Sequence, residues 1–226
     1  VLTLASSSRA LGLEEPDPGR RWLVYSLPLA TQEELLRVIA DINADAAIHG
    51  CLLFRPLPKQ FDDRTIRAAL SPEKDIDGIT DGSLAGVFTN TALGYPPCTA
   101  QACLEILKFY GIPLSGRRAV VVGRSLVVGK PAAMMLDREN ATVTICNSRT
   151  QNLPALCKEA DVVVVAMGKR GFIGADCLRE GQTVVDVGIH VGDDGKLHVR
   201  GYIGFTLIGR SVTWIRPPEQ LAPCAG

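Results

Sequence analysis

From Thr99 onward short apolar runs alternate with helix-like stretches, and no other feature of the sequence restricts the fold as strongly. Ala119–Val122, Thr142–Cys146, Asp161–Ala166 and Thr183–Val187 read as strands, while Thr99–Tyr110, a stretch starting near Gly129 and Leu153–Glu159 read as helices. Strands that take turns with helices predict an α/β fold with a parallel sheet covered on both faces. A Rossmann-like unit is therefore expected over 100–209. Inside it, "VVVGRSLVVGKPAAMML" (Val120–Leu136) joins a strand to an Ala/Met-rich helix through Gly123, Arg124, Ser125 and Gly129. Such a turn aims backbone amides at an anion, which the helix dipole favours. Gly123 permits the sharp turn, Gly129 permits close packing of helix on sheet, and Arg124 and Ser125 add donors. Taken alone, the G-x-S-x-x-x-G spacing fits an ordinary strand-to-helix turn as well as a phosphate site.

The second strand narrows the choice. NAD-binding folds commonly carry an acid at its end to accept hydrogen bonds from the ribose 2′-hydroxyl. Here "ATVTICNSRT" ends in Asn147, Ser148, Arg149 and Thr150, with no carboxylate. A neutral-to-basic pocket suits the 2′-phosphate of NADP, because a carboxylate would repel it and an arginine can pair with it. NAD stays open as the alternative, and a solvated Arg149 is the reading without a ligand.

Before Thr99 the pattern differs. Glu33–Asn43 sets Leu35, Leu36, Ile39 and Ile42 on one helical face behind the cap Thr31. Ala47–Leu53 reads as a strand closed by "RPLP", and Asp63–Leu70 as a short helix. Lys74–Pro97 is glycine-rich and reads as a long irregular span, of the kind that carries function. The expected division is an α/β domain over 1–99, the Rossmann-like unit over 100–209, and a segment over 210–226 that returns to the first domain.

The chain has 226 residues, enough for one large domain or two small ones. Its 24 basic and 24 acidic residues cancel, which argues against a nucleic-acid surface. No apolar run reaches the about 20 residues that span a bilayer, and the N-terminus has no convincing leader. The seven cysteines are scattered without a CxxC and read as buried free thiols in a reducing compartment. That implies a cytoplasmic protein, or one of an organelle matrix, without a metal site.

"PEKDIDG" (Pro72–Gly78), "PCTAQACLEILKFYGIPLSGRRAVVVGRSLVVGKP" (Pro97–Pro131), "ATVTICNSRTQNL" (Ala141–Leu153), "ADVVVVAMGK" (Ala160–Lys169) and "TVVDVGIH" (Thr183–His190) follow one another in order. Together they resemble the methylenetetrahydrofolate dehydrogenase/cyclohydrolase family, the FolD proteins, from about Thr31 to Ile189. The resemblance implies a homodimeric two-domain α/β enzyme of one-carbon metabolism, with a tetrahydrofolate derivative in the cleft between domains and NAD(P) on the Rossmann side. It implies oxidation of 5,10-methylenetetrahydrofolate to the methenyl form, and hydrolysis of that product to 10-formyltetrahydrofolate. By the same resemblance Gly123, Arg124 and Ser125 hold cofactor phosphates and ribose, Ser148 lies near the adenosine end, and Ile189 approaches the nicotinamide. Asp77 matches the pterin-binding aspartate, since a carboxylate there accepts N–H bonds from the ring. Pro97, Cys98 and Thr99 line the cleft. Cys98 has no evident paired base and is read as a structural thiol.

The chain departs from the family where the family does chemistry. An ungapped count back from Gly12 sets Leu4 at the position of the catalytic lysine, and no lysine precedes Lys59. The family's "QLPLP" is Phe54-Arg55-Pro56-Leu57-Pro58, with Phe54 in place of the glutamine. The diglycine of "PGGVGPMT" is replaced by Glu219 and Gln220. The resemblance also leads to the expectation of an N-terminal stretch and a C-terminal helix that these 226 residues do not include. Loss of a proton-transferring group affects hydrolysis most, because general acid–base catalysis is worth about 100- to 10,000-fold. Dehydrogenase activity with doubtful cyclohydrolase activity is one expectation. A catalytically impaired member that binds nucleotide or serves as a dimer partner is the other.

Overall fold

The computed structural model describes residues 2–5, 23–26, 31–169, 172–187, 197–202 and 209–214, with side chains over 31–169 and 172–187. Strands β1 (Leu2–Ala5), β2 (Leu23–Ser26) and β3 (Cys51–Leu53) form a parallel sheet in the order β2-β1-β3. Helices α1 (Gln32–Ala44) and α2 (Asp63–Ala69) belong to the same unit. Leu35, Ile39 and Ile42 of α1 pack with Cys51, Leu53, Phe61, Ile66, Leu70 and Ile79 in one buried cluster. Thr31 closes a capping box: its hydroxyl accepts from the Glu34 amide at 3.2 Å, and Glu34 Oε2 accepts from the Thr31 amide at 2.7 Å.

The strand expected over Ala47–Leu53 is shortened to Cys51–Leu53. Asp45 takes the chain out of α1 in a turn, accepting the Ala47 amide on its side chain and the Ile48 amide on its carbonyl. Those amides cannot then join a ladder.

The span expected to be irregular between Lys74 and Pro97 contains a helix, α3 (Asp81–Thr89). Thr80 caps it by accepting from the Ser83 amide at 3.1 Å, and Asn90 ends it in the left-handed conformation at φ 55°. Its buried residues are Ser83 and Gly86, so its inner face is small rather than apolar and leaves no helical hydrophobic period. A Cβ on Gly86 would stand 2.1 Å from the Leu93 carbonyl oxygen, so tertiary packing selects the glycine that weakens the helix locally.

The second unit opens with α4 (Cys98–Phe109) and holds β4 (Arg118–Val122), α5 (Gly129–Arg138), β5 (Thr142–Cys146), α6 (Leu153–Glu159), β6 (Val162–Val165) and β7 (Thr183–Asp186). Its four strands are all parallel, in the order β5-β4-β6-β7. Val121 and Val164 pack with α4 and α5 on one face, while Val120, Val122, Val163 and Val165 pack with Cys157 of α6 on the other. A strand buried on both faces reads as a continuous apolar run, which is what "VVVV" is. Because β4 has β5 on one side and β6 on the other, the strand order reverses there, and the crevice for a ligand opens at the carboxyl ends of β4 and β6.

Strands β8 (Leu197–Tyr202) and β9 (Gly209–Trp214) pair antiparallel as a separate hairpin. The segment expected to return to the first domain thus begins by pairing with the chain just before it, and residues 215–226 lie outside the described residues. Among the described residues no helix is long and apolar enough to cross a membrane.

Candidate functional site

Gly123 adopts φ 131°, and its amide donates to the Cys146 carbonyl at 2.9 Å. A Cβ there would stand 2.6 Å from the Ala166 carbonyl oxygen, so the turn is wedged between the ends of β5 and β6. A Cβ on Gly129 would stand 2.3 Å from the Gly123 carbonyl oxygen and 2.8 Å from the Arg124 nitrogen. The two glycines fold the loop back on the start of α5, which brings backbone close to any anion there. Ser125 holds this shape: its hydroxyl accepts the amides of Val128 at 3.1 Å and Gly129 at 3.4 Å, and its carbonyl accepts Lys130 at 3.0 Å. The Ser125 oxygen is thus engaged by the helix start, and its O–H is what it has to donate. Arg124 is exposed.

Since Val122 pairs with Cys146, the turn after β5 lies beside the Gly123 turn. It is closed by Thr150 N to Asn147 O at 2.9 Å, Asn147 N to Thr150 Oγ1 at 2.8 Å and Arg149 N to Asn147 Oδ1 at 2.9 Å. Ser148 and Arg149 are exposed at its tip, and the turn contains no carboxylate.

A cavity of about 250 Å³ joins the two units. It is lined by Arg55, Asp63, Arg67, Asp77, Gly78, Ile79 and Pro97 together with Leu126 and Val127 of the Gly123 turn. Asp77 is half-buried; burial raises its carboxyl pKa, a hydrogen bond from Cys98 lowers it, the charge of Asp75 raises it and that of Arg55 lowers it, leaving it above the usual carboxylate value. Gly78, at φ 66°, sits so close to Pro97 that a Cβ would stand 2.4 Å from the Pro97 nitrogen, which clamps "DIDG" against "PPC".

Arg55, Asp63 and Arg67 carry no flag in sequence as site residues. Arg55 grips Asp63 through Nε at 2.8 Å and Nη2 at 2.6 Å. Arg67 reaches Asp63 at 3.2 Å, Asp81 at 2.7 Å and the Ile79 carbonyl at 3.0 Å. The one available signal is that Arg55 is a cation beside Phe54 in a motif that is otherwise apolar.

Of the cleft triplet, Pro97 lines the cavity, and Cys98 donates to the Ile76 carbonyl at 3.2 Å and bonds Asp77. Thr99 is exposed and does not line it. The Cys98 thiol is pushed up by burial and then by the charge of Asp77, so a thiolate is disfavoured there. Phe54 is 38 % exposed and is absent from the cavity wall. Leu4 lies in β1, paired with Tyr25 and Leu53. Ile189, Glu219 and Gln220 lie outside the described residues. A second cavity, of about 210 Å³ between α3, α4 and α5, is walled in part by Ser83, Lys108 and Glu139 and holds none of the expected site residues. Among the described residues no group of three His, Cys, Asp or Glu could hold a metal ion.

Two family descriptions match in chain order. The tetrahydrofolate dehydrogenase/cyclohydrolase catalytic domain matches residues 19–77, and the NAD(P)-binding domain of the same name matches 97–221. The first match starts at residue 19, after Leu4. A bifunctional FolD protein of Carboxydothermus hydrogenoformans is 50% identical over 82% of this chain and 65% of its own length. The chain therefore spans just under two thirds of that relative. The FolD methylenetetrahydrofolate dehydrogenase/cyclohydrolase structure from Campylobacter jejuni is 31% identical, with a TM-score of 0.77 over 87% of this chain and 72% of that one. The Trypanosoma brucei FolD structure, complexed with NADP and an inhibitor, is 26% identical, with a TM-score of 0.70 over 94% of this chain and 72% of that one.

Proposed function

The chain belongs to the tetrahydrofolate dehydrogenase/cyclohydrolase family, and from that premise we propose that it oxidises 5,10-methylenetetrahydrofolate to 5,10-methenyltetrahydrofolate with NADP. The observation that carries this reading is the shared cavity, in which Asp77 of one unit meets Leu126 and Val127 of the other unit's phosphate turn.

The residues fit the cofactor. Gly123 and Gly129 make a cradle that a Cβ would fill, and Arg124 and Ser125 offer donors at its mouth. Ser148 and Arg149 sit on an acid-free turn beside it, which suits a 2′-phosphate. Bound there, the nicotinamide supplies the hydride acceptor. Asp77 accepts ring N–H groups of the pterin and orients it, while Leu126, Val127, Ile79 and Pro97 give its apolar faces a wall and exclude water. Hydride transfer needs the two carbons held in near-attack geometry, and this wall is the part of the protein that sets it.

Hydrolysis of the methenyl product needs a placed proton-transfer group. Phe54 offers none at its own position, and cyclohydrolase activity is proposed on the likeness to the bifunctional relatives. Homodimerisation and a cytoplasmic location complete the proposal, as the family resemblance and the buried thiols support. A non-catalytic, nucleotide-binding role is the second reading, favoured by the position of Phe54 off the cavity wall. Purified protein mixed with 5,10-methylenetetrahydrofolate and NADP separates the two through absorbance of NADPH and of the methenyl product. Turnover supports the dehydrogenase, and NADP binding without turnover overturns it.

A further inference from the structure

Asp75 is 1 % exposed, yet it is a carboxylate, and no ion pair reaches it among the described residues. A buried charge of this kind is tolerated only when hydrogen bonds replace its water. Three do so: Oδ1 accepts the Ile79 amide at 3.0 Å, and Oδ2 accepts the Thr80 amide and the Ser83 hydroxyl, each at 2.7 Å. Ser83 also receives the Thr80 hydroxyl at 3.0 Å. The backbone of Asp75 bridges to Cys51 at the edge of the first sheet, and its carbonyl accepts the Gly78 amide at 3.2 Å.

Asp77 is the middle of this construction. The chain is tied at Asp75 to β3, at Gly78 to Pro97, and at Ile79 and Thr80 back to the Asp75 carboxylate. The Asp75 side chain thus closes a ring around Asp77 and fixes the N-terminus of α3 behind it.

We infer that Asp75 is a positioning residue for the folate side of the site, holding the turn so that Asp77 presents its carboxylate into the cavity shared with Leu126 and Val127. It does not line the cavity itself. The inference rests on the folate reading for its ligand but not for its geometry. Its charge also reaches Asp77, adding to the burial that raises the Asp77 carboxyl. The other titratable or charged groups around the pair are Cys51 from β3, Arg55 from the loop after β3, Asp63 and Arg67 from α2, and Cys98 from α4.

The test uses the full chain, Asp75→Asn, Ser83→Ala, and Asp77→Asn to assign the Asp77 carboxyl signal in a carbon-13 NMR titration. NADP affinity reports on the other unit, and 5-formyltetrahydrofolate serves as the folate probe. Asp75→Asn is expected to bind the probe about tenfold more weakly, the scale of one charged hydrogen bond, and Ser83→Ala more weakly by a smaller factor, both with NADP affinity kept. The Asp77 midpoint is expected to fall in Asp75→Asn and not in Ser83→Ala, which keeps the charge; a purely structural role would not separate them. Equal probe affinity in both variants, or an unmoved Asp77 midpoint in Asp75→Asn, overturns the inference. If Asp75→Asn loses NADP binding through misfolding, Ser83→Ala decides: a weaker probe supports the inference and an unchanged one overturns it. If the parent chain fails to bind the probe, the folate reading falls, and the Asp77 titration still decides the positioning role.

Discussion

A Cβ placed on Gly129 would lie 2.3 Å from the carbonyl oxygen of Gly123, so the first residue of α5 and the first residue after β4 are in direct backbone contact. The obstructing atoms are main chain and cannot rotate aside. Gly129→Ala is therefore expected to cost about 1–3 kcal/mol, the range for overpacking a tight site. Thermal unfolding measures that cost, and titration with NADP should show loss of binding, because relief of the clash opens the cradle.

Arg124 is exposed, so its replacement removes a donor without disturbing the core. Arg124→Ala should leave the melting temperature unchanged. Calorimetry should find NADP affinity lowered by about 1–3 kcal/mol if the guanidinium makes a charged hydrogen bond to the cofactor. Equal affinity removes Arg124 from the site.

Arg149 tests cofactor choice separately. It lies on the Asn147–Thr150 turn, next to Gly123 but away from the Asp77 cavity. Arg149→Ala should weaken NADP by about tenfold, the scale of one charged contact, and leave NAD unchanged. Parallel losses for both cofactors would refute recognition of the 2′-phosphate.

Asp77 links folate binding to pH. Burial raises its carboxyl above the usual value, so folate held by the ionised form should weaken as pH falls through that raised value. The sign for stability is opposite. Between the ordinary and the raised value the folded chain binds more protons than the unfolded chain, so stability declines as pH rises through this window. Asp77→Asn should therefore be at least as stable as the parent at neutral pH while binding folate poorly. A large fall in melting temperature would contradict this.

Thiol chemistry follows burial. Among the six described cysteines only Cys98 is exposed. Burial pushes Cys51 up to about 12 and Cys157 up to about 11. Iodoacetamide at neutral pH should label Cys98 first and slowly, since its own thiol is also raised, and the other five only on unfolding. Peptide mass spectrometry reads the order, and bound folate should protect Cys98.

The alternation after Thr99 determined the parallel sheet by itself, because a strand buried on both faces must be apolar throughout and a connecting helix must be amphipathic. Gly123 and Gly129 were likewise legible, since only glycine satisfies a turn in which two backbones touch. Helix α3 was not: its inner face is Ser83 and Gly86, chosen to fit Asp75 and Leu93, and small or polar inner faces carry no hydrophobic period. The cavity wall of Arg55, Asp63 and Arg67 was hidden for a related reason. Arg67 and Asp63 are an i,i+4 pair along α2, but Arg55 meets Asp63 only once the turn after β3 packs on α2, and in sequence an arginine there reads as a solvated residue. Sequence alone determined which segments must be buried. Only the tertiary structure decided which polar groups face one another, because hydrogen bonds and charges depend on distances of a few ångströms that no local pattern encodes.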